Sequence, residues 1–469
     1  MVFSSPIFLF WFLPLVLFCY YLVDRKYRNG VLLFFSLLFY GWGEGEMLTL
    51  MLVSTLLNYV FGIQIQNATV ASRSKWILFL GVSANLSLLL YYKYANFFVD
   101  NYNFAASHLG IETVTWEKVI LPLGISFYTF HGISYIIDVY RKHTSAQRDP
   151  FKLALYISFF PQLIAGPIIR YKDVQDQIDD RRIDIPLFAS GIKRFVIGLA
   201  KKILIANIVG RIPEMVFKMP ESELNAYWSW LGVIAVAVQL YFDFSGYSDM
   251  AIGLARMFGF RFLENFNYPY ISQSMKEFWT RWHISLSNWF RDYVYYPLGG
   301  NKKGKFRMHL NLWTIFLLNG IWHGANWSFV IFGIYHGSLL TFERIGFDRV
   351  LNFIPRVFRS IYVFIVFALG DVLFSIEDIH HAYAYYCSLF DFSAPDPFHR
   401  IHLYLTSEWY FTLILGLILS IPSAEFLFSQ IQNIKRKQLL ETCIILLLFV
   451  LSVSELANTS YNPFIYFRF

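Results

Sequence analysis

The chain has 469 residues, of which 15% are charged, 56% hydrophobic and 20% Phe, Tyr or Trp, with 50 Phe alone. Soluble domains average about 25% charged residues, so this balance excludes disordered, collagen-like and disulfide-rich chains and disfavours an ordinary soluble enzyme. The net charge of +7 is read as membrane orientation and not as nucleic-acid binding, because Lys and Arg of membrane chains collect on the cytoplasmic side.

Residues 1–23 contain no Asp, Glu, Lys or Arg, so the basic n-region of a cleaved signal peptide is lacking. The apolar run 6–23 is expected to be a first span. Asp24, Arg25, Lys26 and Arg28 follow, which places the N-terminus outside and the next turn in the cytoplasm. Charge-free runs recur at 47–72, 76–92, 119–137, 153–169, 224–242, 308–342 and 409–424. Several reach the roughly 17–25 residues that cross a hydrocarbon core as helix. The fold expected is all-α: a polytopic membrane protein with about ten to twelve membrane-embedded helices. Arg73 and Lys75 face the cytoplasm, residues 96–117 with Asp100, Glu112 and Glu117 form an outer loop, and Arg141, Lys142 and Arg148 lie inside. The run 153–169 holds Pro161, Gly166 and Pro167, which suits a re-entrant segment, since irregular backbone survives at membrane depth only when buried in protein or lining a cavity.

In residues 276–297, Phe278, Trp282, Leu286, Trp289 and Tyr293 recur every three or four positions, one face of an amphipathic helix at the cytoplasmic interface. Residues 371–396, acidic and with His380 and His381, are expected outside. The basic residues 435–437 lie inside, and a last span at 439–455 returns the C-terminus to the outer face. With no internal repeat and no linker, one membrane domain over 1–469 is the simplest organisation. Cys19, Cys387 and Cys443 are scattered and read as small buried hydrophobes, without disulfide or metal spacing.

Polar groups at membrane depth are expensive and become functional candidates. His323 lies midway along 308–342, in Gly320-Ile321-Trp322-His323-Gly324. A neutral imidazole there suits a general base, and equally a structural histidine bonded to a carbonyl. The flanking glycines permit close approach of backbone or ligand. His336, 13 residues on, would face away from His323 on one continuous helix and is read as structural. His283 adjoins Trp282 and suits either an interfacial position or one dipping inward. No pair of histidines has zinc-like spacing with a carboxylate, so no metal is expected. Asp243 and Asp249 flank Phe244-Ser245-Gly246-Tyr247-Ser248 and are expected to cap a helix break, with a proton relay as the alternative. Neither a phosphate-cradling glycine loop nor a Gly-x-Ser-x-Gly elbow is present, which disfavours an ATP-driven pump and a serine hydrolase.

Longer blocks carry a resemblance. These are residues 241–256 (Tyr-Phe-Asp-Phe-Ser-Gly-Tyr-Ser-Asp-Met-Ala-Ile-Gly-Leu-Ala-Arg), 278–287, 290–300 and 320–325, together with the opening residues 1–5. Through them the chain resembles the membrane-bound O-acyltransferases, specifically the bacterial alginate and peptidoglycan O-acetyltransferase branch. The likeness is densest from 239 to 337. It implies that His323 is the family's essential histidine and His283 the second histidine of this branch. It also implies a funnel-shaped ring of helices in the inner membrane, where a cytoplasmic acyl thioester meets an acceptor from the other side. The donor would be acetyl-CoA or another thioester, with no bound cofactor. The implied partners are membrane lipid, an extracytoplasmic SGNH-type transferase and polysaccharide-synthesis machinery. Trp282 and Trp322 would line a constriction, with Asn319, Trp322 and Asn326 as hydrogen-bond donors to a developing oxyanion. The tail 461–469 resembles the aromatic ending of this branch, and implies an acyl relay through Tyr466, where an interfacial aromatic belt is the alternative. D-alanyl transfer from a carrier protein and a transporter or flippase are the competing functions.

Overall fold

A computed structural model describes residues 2–392 and 405–458. The described residues form helices and no strands. Among the described residues, five helices are long and apolar enough to cross a membrane: Met47–Asn67, Ala71–Leu109, Ala226–Met257, Arg356–Ser375 and Ile434–Asn458. Ser407–Leu419 and Ser423–Ser429, bent by 65° at a short break, make a sixth if they form one span. The protein is an all-helical membrane chain, as its charge-free runs lead one to expect.

Some details differ from that expectation. Residues 96–109 of the expected outer loop form the end of the Ala71–Leu109 helix, and residues 110–117 are irregular. Asn96 on this helix accepts the Val119 N–H and the Trp116 indole N–H, both at 2.9 Å, and so satisfies the extended backbone that follows. The helix expected from 119 starts at Ile125. Asp371 belongs to no outer loop: it is fully buried within the Arg356–Ser375 helix. Arg359 and Asp371 leave only 360–370 charge-free, too short a run to read as a span. Cys387 and Cys443 are exposed, not buried.

Contacts divide the chain into two compact units, Met1–Ile192 with Ala251–Leu263 and Lys193–Met250 with Glu264–Phe469. The first unit is built on aromatic packing. Phe3, Phe8, Phe12 and Phe39 all meet the ring of Phe160, with centroids 5.5–6.3 Å apart. Phe160 sits where the 153–169 run breaks: helix Pro150–Ser158 ends, and a four-residue turn, Phe160–Leu163, follows. The break is satisfied inside the protein, since the Phe160 N–H donates to the buried Ser36 hydroxyl at 3.2 Å, as irregular backbone in an apolar setting requires. Asn58 and Asn85 exchange side-chain hydrogen bonds at 2.9 and 3.0 Å, pairing two buried amides that would otherwise be costly.

In the second unit the Ala226–Met257 helix holds Asp243 and Asp249, and it does not break between them. The two carboxylates are held by ion pairs, not by caps. Lys202 reaches Asp243 at 2.7 Å, with both side chains almost fully buried, and Arg194 and Lys201 reach Asp249 at 2.7 Å each. Gly246 lies against Gly198, so close that a Cβ on Gly198 would meet the Gly246 carbonyl at 2.5 Å. Absence of side chains at that crossing lets the helices approach and their ion pairs form. The run 308–342 divides into the helices Gly304–His323 and Trp327–Phe342. Asn326 caps the second one, its side-chain oxygen accepting the Ser328 N–H at 2.9 Å, a standard way to satisfy a free N-terminal donor.

Candidate functional site

The aromatic stripe of residues 276–297 is buried throughout, at Phe278, Trp282, Leu286, Trp289 and Tyr293. The helix carrying it is not continuous. Met275–Arg281 ends, Trp282 is extended, His283 takes a left-handed conformation (φ 44°, ψ 53°), and Ile284–Phe290 begins. No Gly or Pro marks this break; contacts from distant residues make it. Ser274 caps the first helix through the Glu277 N–H at 3.1 Å. The Glu343 carboxylate accepts the Met275 and Lys276 N–H groups at 2.7 and 3.2 Å, a charge suited to a helix start. The Asn265 carbonyl accepts the Ile284 N–H at 2.9 Å.

The break turns His283 inward, where it is 1% exposed. Its ring stands edge-on to Phe244 at 4.7 Å and lies 6.2 Å from the Trp322 ring. His283 Nδ1 lies 3.2 Å from Asn265 Oδ1, and Nε2 has no protein partner among the described residues. The two short helices beside it lie outside the candidate spans, and burial lowers the imidazole pKa to about 3. His283 is therefore neutral at physiological pH.

His323 is the last residue of the Gly304–His323 helix. Its ring packs beside Trp322 (5.0 Å), Phe374 (5.1 Å) and Phe332 (6.0 Å). The glycines around it serve backbone approach: a Cβ on Gly320 would lie 2.3 Å from the Phe329 carbonyl oxygen, and one on Gly324 would strike the Phe329 ring at 2.1 Å.

His283, His323, Trp282 and Asn319 line one cavity of about 200 Å³. Trp279, Phe290 and Phe316 wall it, and Arg291, Tyr295 and Arg344 also face it. Asn319 Oδ1 is buried and has no hydrogen-bond partner among the described residues. Trp322 does not line the cavity but stands beside both imidazoles. Asn326 is occupied as the helix cap. Tyr466 lies outside the described residues. The helical-phase argument for His336 does not apply, because the break after His323 separates the two helices. His336 is fully buried and packs against Phe332 and Trp279 at 4.5 and 5.1 Å. Sequence reasoning missed Asn265, Glu343 and Arg344. Asn265 sits 18 residues before His283 in a polar loop that carries no local signal of its task.

The site is an aromatic-walled space lined by two imidazoles and an amide, and two arginines also face it. That arrangement suits proton transfer and hydrogen bonding to a substrate. Comparison with known proteins agrees in kind. Residues 59–376 match the model of the membrane-bound O-acyltransferase family. A protein of Pseudomonas putida named "Probable alginate O-acetylase AlgI" is 42% identical over 492 residues, covering 100% of both chains. The peptidoglycan O-acetyltransferase of Helicobacter pylori is 34% identical over 418 residues, covering 81% of this chain and 78% of its own. The teichoic acid D-alanyltransferase of Bacillus subtilis is 31% identical over 286 residues, covering 56% of this chain and 71% of its own.

Proposed function

The chain belongs to the membrane-bound O-acyltransferase family, and on that premise we propose that it moves an acetyl group from a cytoplasmic thioester across the inner membrane to an exported polysaccharide. O-acetylation of a cell-surface polymer is the chemistry named for its acetylase relatives, aligned over 81–100% of the chain. The D-alanyltransferase aligns over 56%, which favours acetyl over D-alanyl transfer. The observation that carries the reading is the meeting of His283 and His323 in one aromatic-walled cavity. A transporter or flippase has no need of such a pair.

His323 takes the proton of the attacking hydroxyl as its oxygen bonds to the thioester carbonyl carbon. The carbon–sulfur bond then breaks, and the thiolate leaves with the proton returned by the imidazolium. A thioester is already activated, so positioning and proton removal supply most of what is needed. Asn319 offers its amide to the oxyanion. His283 orients the donor or the acceptor. Arg291 and Arg344 face the same cavity and suit the phosphates of acetyl-CoA or of a carrier-bound pantetheine. In this reading further embedded segments bring the count to about ten to twelve and surround the cavity as a funnel, with both termini outside. An SGNH-type partner receives the acyl group there, by way of a Tyr466 ester. Intact mass of trapped protein tests that ester; cells that acetylate their polymer with no acyl mark at Tyr466 would rule it out.

The main test is His323→Ala in membranes given radiolabelled acetyl-CoA. We expect label transfer to fall to background while the protein accumulates normally. Transfer at the wild-type rate would overturn the assignment of the base.

A further inference from the structure

Asn265 Oδ1 is a crowded acceptor. It lies 3.2 Å from the Ser285 backbone nitrogen, 2.9 Å from the Ser285 hydroxyl and 3.2 Å from His283 Nδ1. The amide nitrogen of Asn265 is turned the other way, donating to Ser248 at 2.9 Å. The backbone N–H of Ser285 can only donate, so the atom facing it must be the oxygen of Asn265 and not its NH2. An oxygen accepts and cannot donate; His283 Nδ1, facing that same oxygen, must therefore carry the hydrogen. A neutral imidazole holds one N–H, so Nε2 is left with a lone pair. Nε2 is buried with no hydrogen-bond partner among the described residues, and His283 lines the cavity.

We infer that Asn265 is a positioning residue that locks His283 in its Nδ1–H tautomer, so that His283 presents the cavity with a hydrogen-bond acceptor at Nε2 and no donor. The consequence separates the two substrates. The carbonyl oxygen and sulfur of a thioester accept hydrogen bonds and donate none, so a lone pair at Nε2 repels them. A hydroxyl donates, and Nε2 is built to receive it. Of donor and acceptor, His283 thus orients the attacking hydroxyl, and it takes no part in stabilising the oxyanion. The inference rests on the acyl-transfer reading for its choice of substrate; the tautomer itself does not depend on that reading. The other titratable or charged groups lining the cavity are His323, Arg291, Tyr295 and Arg344.

The test compares Asn265→Asp with Asn265→Leu in the full-length protein. Aspartate keeps an acceptor for the Ser285 N–H and for His283 Nδ1, and leucine removes it at similar volume. We expect Asn265→Asp to retain transfer within about tenfold, and Asn265→Leu to lose about 100-fold or more in kcat, the scale seen when a tautomer-setting partner is lost. The KM for acetyl-CoA should be unchanged in both. Equal rates in the two variants, or a change confined to the KM for acetyl-CoA, would overturn the inference. A second measurement needs no activity. In wild-type protein with 15N-labelled histidine, the His283 signal, identified by its loss in His283→Gln, should show a protonated Nδ1 and an unprotonated Nε2. The opposite pattern would overturn the tautomer. If wild-type membranes transfer no acetyl group but this spectrum holds, the acyl-transfer reading fails and the tautomer stands.

Discussion

The crossing of the Gly304–His323 and Trp327–Phe342 helices allows a quantitative prediction at Gly320. Alanine in place of glycine inside a helix normally stabilises by about 1 kcal/mol. At Gly320 the new Cβ would lie 2.3 Å from the Phe329 carbonyl oxygen and 3.0 Å from the Gly333 backbone, where ordinary contact begins at 3.4 Å. The two backbones must separate by about 1.1 Å, which is 3.4 minus 2.3. No side chain can rotate away, because the obstacles are main-chain atoms. Overpacking of this kind costs about 1–3 kcal/mol, enough to outweigh the helix propensity. His323 lies three residues further along the same helix, so the displacement carries its imidazole with it. A shift of about 1 Å at a reacting group can lower the rate about 100-fold. Gly337 supplies the control: on the partner helix, its nearest neighbours would be at 3.4–3.6 Å. Gly337→Ala should be neutral or stabilising by up to about 1 kcal/mol and leave transfer intact. The assays are the temperature at which detergent-solubilised protein loses its monodisperse peak and acetyl transfer in membranes. If Gly320→Ala matched Gly337→Ala in both, the close crossing would be no determinant of the site.

Two further outcomes follow from buried charge. Asp243→Ala should lower stability by about 3–5 kcal/mol, because it removes the carboxylate paired with the buried Lys202 ammonium at 2.7 Å. Lys202→Met combined with Asp243→Leu should recover most of that loss, read from the same thermal assay; a double variant that is stable yet silent in transfer would instead point to a proton relay. The second outcome concerns pH. Folding lowers the His283 pKa to about 3 from an unfolded value of about 6.5. Between those values the unfolded state binds the extra proton, so the contribution of His283 is complete above about pH 6.5 and declines as pH falls, at up to about 1.4 kcal/mol per unit. The thermal midpoint of His283→Gln should therefore drop less than that of the wild type on going from about pH 7.5 to 5.5; an identical drop would show that His283 is not held neutral.

The elements legible in the sequence are those written in composition and periodicity. Charge-free runs led to helices and to the membrane, and the stripe from Phe278 to Tyr293 is buried as its spacing required. What local pattern does not contain is the place where a helix stops for a tertiary reason. The stripe continues unbroken through Trp282 and His283, yet the backbone turns there, because Glu343 caps the helix before it and the Asn265 carbonyl takes the Ile284 N–H after it. Asp243 and Asp249 show the converse. Their Ser- and Gly-containing surroundings look like a break, but Lys202, Arg194 and Lys201 neutralise them within a continuous helix. Asp371 was hidden for a third reason: an acidic residue near two histidines resembles an outer loop unless burial is known.

Among the described residues other than glycine, only Lys142, Tyr268 and His283 have positive φ. At φ 44° an L residue with a Cβ is strained by about 1–2 kcal/mol. Asparagine and glycine tolerate that conformation better. A screen for thermal stability alone should thus enrich His283→Gly and His283→Asn, and the enriched proteins should be inactive. The backbone that aims the imidazole is a place where selection for robustness and selection for chemistry pull apart. A directed-evolution campaign on this protein would need to couple every stability round to a transfer screen.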